Sequence, residues 1–188
     1  MSATDVRPDR ERLVEAADRL FNARGVQSVG MDAVRAESGV PLKRLYAAFS
    51  SKDDLVLAVL HHREGTWEQG IAAATASATS PRERLLAVYD FLDSWFRSDG
   101  FRGCGFINTF GELGGVSPEV ADTVRAQKAS FQRYVAGLVD DLGGPPALAA
   151  QLALLAEGAQ TTAAIEGRPE AAAHARAAAE VLIDTALA

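Results

Sequence analysis

The sequence predicts an all-α protein. Apolar residues recur three and four positions apart along most of the chain, and Ala and Leu dominate. The alternating β-branched runs that mark strands are missing. With 188 residues, 48% of them hydrophobic, the chain is long enough to bury a substantial core, in a small domain followed by a larger one.

The start and stop signals resolve nine helices. The first opens at Asp9, an N-cap type, places Leu13, Ala17, Leu20 and Phe21 on one face, and stops at Gly25. The second runs from about Asp32 to Ser38 and is closed by Gly39. Pro41 suits the first turn of the third, which carries Leu42 to Phe49. Ser51 and Asp54 form the capping box of a fourth helix reaching about Ala78. Ser80, Pro81 and Glu83 repeat that signal for a fifth, with Leu85, Val88, Leu92 and Trp95, that ends before Gly100. The Gly-rich stretch RGCGFINTFGELGG allows only a short sixth helix. Ser117, Pro118 and Glu119 start a long seventh. Two Ala-rich helices follow Gly143–Pro146 and are separated by Gly167–Pro169. Disorder is expected only for the first several residues.

The stretch from Met31 to Leu55, MDAVRAESGVPLKRLYAAFSSKDDL, carries the functional signal. Two short helices flank Gly39-Val40-Pro41, the arrangement of a helix-turn-helix. Glycine at 39 permits the positive φ that closes the first helix, Val40 plugs the angle, and Val34 faces Leu45 as a small core. The outward residues of the second helix are then Leu42, Lys43, Arg44 and Tyr46, a set suited to phosphates and guanine edges. Lys52, opening the fourth helix, stands beside that helix's own N-terminal amides.

In this region the chain resembles the TetR family of transcriptional regulators. The family pattern is helix, Gly, short helix, Ala-Gly-Val-Ser, a variable pair, Thr-Leu-Tyr, then Phe and Lys-x-x-Leu. The chain shows Gly25, SGVP at 38 to 41, RLY at 44 to 46, Phe49 and KDDL at 52 to 55. The match covers about Arg10 to Leu60; the rest of the chain agrees in layout only. The resemblance implies phosphate contacts by Tyr46 and Lys52, with Lys43 and Arg44 where the recognition helix meets DNA. Three positions depart from the pattern. Gly30 stands where the family often has a Ser or Thr that caps helix 2 and touches phosphate, a contact for which Ser28 is a substitute. Pro41 replaces the usual serine, and Lys43 replaces a common glycine.

The resemblance further implies residues 1–51 as a DNA-binding domain and residues 52–188 as a ligand-binding and dimerisation domain. A pocket inside helices 4 to 7 and a four-helix dimer interface from the last two helices of each subunit belong to that plan. Independently, Trp67, Phe91, Trp95, Phe96, Phe106, Phe110 and Phe131 gather aromatic side chains in mid-sequence, with Cys104, Asn108 and Glu112 among them. That mix suits an apolar pocket with a few orienting groups, and equally an ordinary aromatic core. The Ala-rich terminal helices suit close approach across a two-fold axis. The function expected is thus a homodimeric regulator that binds a palindromic operator in double-stranded DNA and is released by a small-molecule effector. A TetR-type activator and a helical sensor acting through a protein partner are the alternatives.

Other classes find little support. No apolar run approaches the roughly 18 to 20 residues of a membrane span, and MSATDVRPDRER lacks a secretory h-region, so a cytoplasmic location is expected. No nucleophile order, carboxylate pair or phosphate loop marks an enzyme, and no cofactor is indicated. His61 and His62 are adjacent and point about 100° apart on a helix, which is wrong for a metal pair. Cys104, the single cysteine, has no basic neighbour along the chain closer than Arg102 and reads as a buried thiol. Net charge is −6, split as +1 up to Arg63 and −7 beyond. DNA contact therefore belongs to the front of the chain and rests on a few placed cations, because phosphate neutralisation dominates such binding.

Overall fold

A computed structural model describes residues 7–188; the first several residues, expected to be disordered, lie almost wholly outside that range. Among the described residues there are nine α-helices and no strand: α1 (Arg7–Arg24), α2 (Met31–Ser38), α3 (Leu42–Ala48), α4 (Lys52–Thr75), α5 (Pro81–Phe96), α6 (Gly105–Leu113), α7 (Pro118–Asp141), α8 (Pro146–Glu166) and α9 (Glu170–Ala186). No helix among them is long and apolar enough to cross a membrane.

The chain folds as two compact units. One takes in the sequence up to Gly65 together with Gly105–Arg125; the other comprises Thr66–Cys104 and Ala126–Ala188. In the first, α1, α2 and α3 pack on one another around buried Leu13, Ala17, Leu20, Val34, Val40, Leu45 and Phe49. In the second, α5, α8 and α9 pack together over a core that includes Leu85, Leu92, Leu148, Leu152 and Ile183. Tyr89 is buried in that core. Its hydroxyl donates to the Leu152 carbonyl at 2.8 Å, and burial pushes the phenol pKa well above its ordinary value.

Local chemistry explains most boundaries. Gly39 closes α2 in the left-handed region at φ 66°, its N–H donating to the Arg35 carbonyl, a conformation glycine adopts without a Cβ penalty. Pro41 is the N-cap of α3 rather than part of its first turn, because its extended backbone (φ −61°, ψ 144°) lies just outside the helix; its carbonyl accepts from Arg44 and Leu45. The Asp54 amide donates to Ser51 Oγ at 3.0 Å and opens α4, which ends at Thr75, three residues sooner than expected. There the Thr75 hydroxyl turns back onto the Ile71 carbonyl. Arg7, the first described residue, is already helical, so Asp9 stands inside α1 rather than capping it as expected.

The start of α5 is a reciprocal cap. The Glu83 amide donates to Ser80 Oγ, and the Glu83 carboxylate accepts from both the Thr79 amide and the Thr79 hydroxyl at 2.7 Å. The Thr79 hydroxyl, more than any other group, holds the Glu83 pKa below its ordinary 4.5. A carboxyl whose pKa is depressed by folding stabilises the fold fully above its unfolded value, and that contribution vanishes as pH falls through the folded value. Glu83→Gln is therefore expected to lower stability at pH 7, with the gap to wild type closing on acidification. Urea melts at pH 7 and below the carboxylate range test this, and an equal gap at both would contradict it. Ser80→Ala is expected to cost about 1 kcal/mol at both pH values.

Candidate DNA-contact surface and aromatic cluster

The rotation of α3 decides which side chains face outward. Leu45 is fully buried and Phe49 nearly so, whereas Leu42, Lys43, Tyr46 and Ala47 are exposed, Tyr46 to 51%. At about 100° per residue, Tyr46 and Lys43 lie on one flank and the outer face. Arg44 lies on the other flank, only half-buried, and is paired with Asp9 of α1. Asp9 is buried, and Arg12 Nη1 stands 4.0 Å from its second oxygen. A carboxylate in such a position requires cationic partners, so Arg44 tethers α3 to α1 as well as standing on the helix expected to meet DNA.

Two further contacts hold the motif. Arg12 Nη2 donates to the Ser38 carbonyl at 2.6 Å, beside the αL turn at Gly39. The Arg10 guanidinium lies 4.9 Å from the centroid of the Phe49 ring, a cation–π distance. The other expected DNA contacts surround α3's neighbours. Ser28 is exposed in the α1–α2 turn, its hydroxyl donating to the Arg24 carbonyl at 2.5 Å. Gly30 is the N-cap of α2 and supplies no side-chain cap. Lys52 Nζ stands 3.4 Å from the Gln27 carbonyl of that same turn.

Of the expected pocket residues, the fold brings Trp67, Phe91, Trp95, Phe96 and Phe131 into one aromatic cluster of the second unit, together with Phe101. Trp67 lies at its centre, edge to face with Phe91, Trp95 and Phe131 at centroid distances of 5.0, 5.4 and 5.8 Å. Gly70 of α4 leaves the Phe91 ring no room for a Cβ beside it. Cys104 belongs to the same unit and is buried. Its sulfur meets Lys128, 24 residues further on, whose Nζ lies 3.3 Å away and also bonds both carboxylate oxygens of Glu157 at 2.9 and 3.0 Å. Sequence neighbours gave no hint of this, because α7 carries Lys128 back to Cys104 only in the folded chain.

Phe106, Asn108 and Phe110 belong to the first unit. Phe106 is buried, the Phe110 ring is half-exposed under Arg125 at 5.9 Å, and Asn108 lines a cleft with Phe21, Val59, Arg63, Thr109 and Glu112. The cleft holds a volume of about 20 Å³, room for about one water molecule rather than an organic effector. Glu112 is turned onto the α1–α2 turn, accepting from the Val26 and Gln27 amides.

Residues 13–59 match the family of bacterial regulatory proteins described as tetR. A TetR-family transcriptional regulator from Streptomyces coelicolor has a similar structure, with a TM-score of 0.87 and 32% identity over 95% of each chain. The HTH-type transcriptional activator FasR of Mycolicibacterium smegmatis is 36% identical over 97 residues, 50% of this chain and 43% of that protein. The HTH-type transcriptional regulator BetI of Brucella anthropi is 33% identical over 79 residues, 42% of this chain and 41% of that one. The matched part thus spans less than half the length of either relative.

Lys43 and Arg44 are expected to behave differently on truncation. Lys43→Ala should weaken DNA binding with no change in melting temperature, because its side chain is exposed. Arg44→Ala should lower both, losing on the order of 2 to 4 kcal/mol of stability as Asp9 is left buried without it. Equal melting temperatures for the two variants would show that the Arg44–Asp9 pair does not hold α3.

Proposed function

The chain belongs to the TetR family of transcriptional regulators, and on that premise we propose that it is a repressor, a homodimer that occupies a palindromic operator and leaves it when a small molecule binds. The observation that carries the DNA-binding part is the rotation of α3, which buries Leu45 and Phe49 and presents Leu42, Lys43 and Tyr46. In the proposed complex α3 lies in the major groove, with Lys43 and Arg44 toward base edges or phosphates. Tyr46, Ser28, Lys52 and the α2 N-terminus at Gly30 hold the flanking backbone. Residues 1–51 act as the DNA-binding part and residues 52–188 as the ligand-binding and dimerisation part, in the cytoplasm.

Support for a dimer comes from α8. Its outward positions Ala147, Ala150, Leu154, Gly158, Thr161 and Ile165 are exposed and none is charged, with Ile165 81% accessible. Val181 on α9 is likewise exposed. An uncharged stripe of small and aliphatic residues is poor solvent-facing surface and good helix-packing surface. In the proposed dimer the two recognition helices meet half-sites about one turn of DNA, roughly 34 to 36 Å, apart.

The proposed effector site is the aromatic group of the second unit, around Trp67, Phe91, Trp95, Phe96 and Phe131 with Cys104. The chemistry favours an apolar or flat aromatic ligand. Such a ligand acts by shifting α4 between two arrangements of the DNA-binding helices, one of which fits the operator. Repression follows from occupancy of promoter DNA by the dimer. Activation is the second reading, favoured by the similarity to FasR, which is named an activator.

Gel-shift titration on DNA flanking the protein's own gene tests the proposal. Specific binding is expected, weakening with salt at a slope of about −0.9 per phosphate contact. The Lys43→Ala, Tyr46→Ala pair should abolish specific binding while the fold persists. Absence of any sequence preference in folded dimeric protein would overturn the reading, and in vitro transcription from the bound promoter separates repression from activation. Light scattering should give twice the chain mass of 19.9 kDa for the wild type, and that of a single chain for Leu154→Asp combined with Ile165→Asp.

A further inference from the structure

Glu112, near the end of α6, is 85 and 86 residues away in sequence from the amides it binds. Its Oε1 accepts from the Val26 amide at 2.9 Å and its Oε2 from the Gln27 amide at 2.7 Å. The Gln27 side chain returns the contact, Nε2 donating to the Glu112 carbonyl at 2.6 Å. Two successive backbone amides aimed at one carboxylate form an anion cradle. The third bond satisfies a carbonyl that the end of α6 leaves without an intrahelical donor.

The cradle depends on Gly25. This residue ends α1 at φ +80°, and a Cβ there would stand 3.0 Å from Glu112 Oε1. The left-handed conformation favours glycine, and a Cβ there would press on the Glu112 carboxylate. Glu112 itself is poorly placed by helix electrostatics, in the last turn of α6 and against the end of α1, where the peptide dipoles disfavour a negative charge. The Val26 and Gln27 amides hold the carboxylate there against that field.

The turn so gripped is the one that carries the expected backbone contacts to DNA. Ser28 is in it, Gly30 ends it as the N-cap of α2, and Lys52 Nζ reaches its Gln27 carbonyl. We propose that Glu112 is a positioning residue for operator binding: by gripping the Val26 and Gln27 amides it sets the α1–α2 turn in the conformation that DNA requires. The inference rests on the DNA-binding reading given above.

The test compares Glu112→Ala, Glu112→Gln and Gln27→Ala in the full-length protein. Amide hydrogen exchange at Val26 and Gln27 is measured beside affinity for the operator and for random-sequence DNA. Glu112→Ala should expose both amides and weaken operator binding about tenfold, leaving random-sequence affinity, its salt slope and the dimer unchanged. A merely structural role would instead lower both affinities together. Glu112→Gln keeps one acceptor and should fall between wild type and Ala, and Gln27→Ala likewise. These two milder variants carry the test if Glu112→Ala does not fold. Operator affinity unchanged while the amides open, or parallel loss on both DNAs, overturns the role of Glu112 alone. Failure of the wild type to prefer any DNA sequence overturns the DNA-binding reading and this inference with it.

Discussion

Complete burial of Leu45 constrains everything else on the recognition helix. In a helix of only seven residues there is one turn on either side of that anchor, and its burial fixes the rotation of the whole element. With Phe49 beside it in the core, Lys43, Tyr46 and Ala47 can only face outward. Hydrophobic burial is non-directional, however, and does not stop a short helix from sliding or tilting on its seat. The polar contacts around the motif supply direction: Asp9 takes Arg44 on one flank, Arg12 takes the Ser38 carbonyl beside the turn, and Arg10 covers Phe49. Each links α1 to the motif, so α1 acts as its splint.

The same division of labour recurs in the turn before α2. Glycine at 25 makes the bend possible, and buried Val26 and Val29 anchor its apolar side. The left-handed bend at Gly25 takes the Val26 and Gln27 amides out of the helix, and α6 provides their acceptor through Glu112. An acidic side chain in this role stands in a chain whose first third, up to Arg63, carries a net charge of only +1. Positive charge available for DNA is scarce there, and two of the cations, Arg12 and Arg44, are engaged within the protein. A surface with so few cations to spend on phosphates must hold them accurately, which makes the geometry of turns and caps more consequential than net charge.

In the second unit, aromatic residues contribute both packing and chemistry. Trp67 meets three other rings edge to face, the arrangement favoured by the ring quadrupoles, and Gly70 lets Phe91 close against α4. Beside the rings' own unit core, Lys128 bridges Glu157 and Cys104. The pair is only partly shielded, which keeps its desolvation cost moderate.

The sequence by itself determined the helices, because caps, prolines and glycines act within a few residues of where they stand. Ser51, Ser80, Gly39 and Gly167 mark ends that lie where the local chemistry places them, and the helix-turn-helix with its outward Lys43 and Tyr46 follows from apolar spacing over twenty residues. Local signals misplaced some ends, as where α4 stops at Thr75 and Pro41 stands before α3 rather than within it. Tertiary structure alone decided the pairings between distant residues: Arg44 with Asp9, Lys128 with Cys104, and Glu112 with the Val26 and Gln27 amides. It also separated Phe106, Asn108 and Phe110 from the aromatic cluster formed by their neighbours in sequence. The physical reason is range. Backbone conformation is set by forces acting within one turn of chain, whereas a charged side chain takes whichever partner the packing of remote helices brings within hydrogen-bond reach, and no periodicity records that choice.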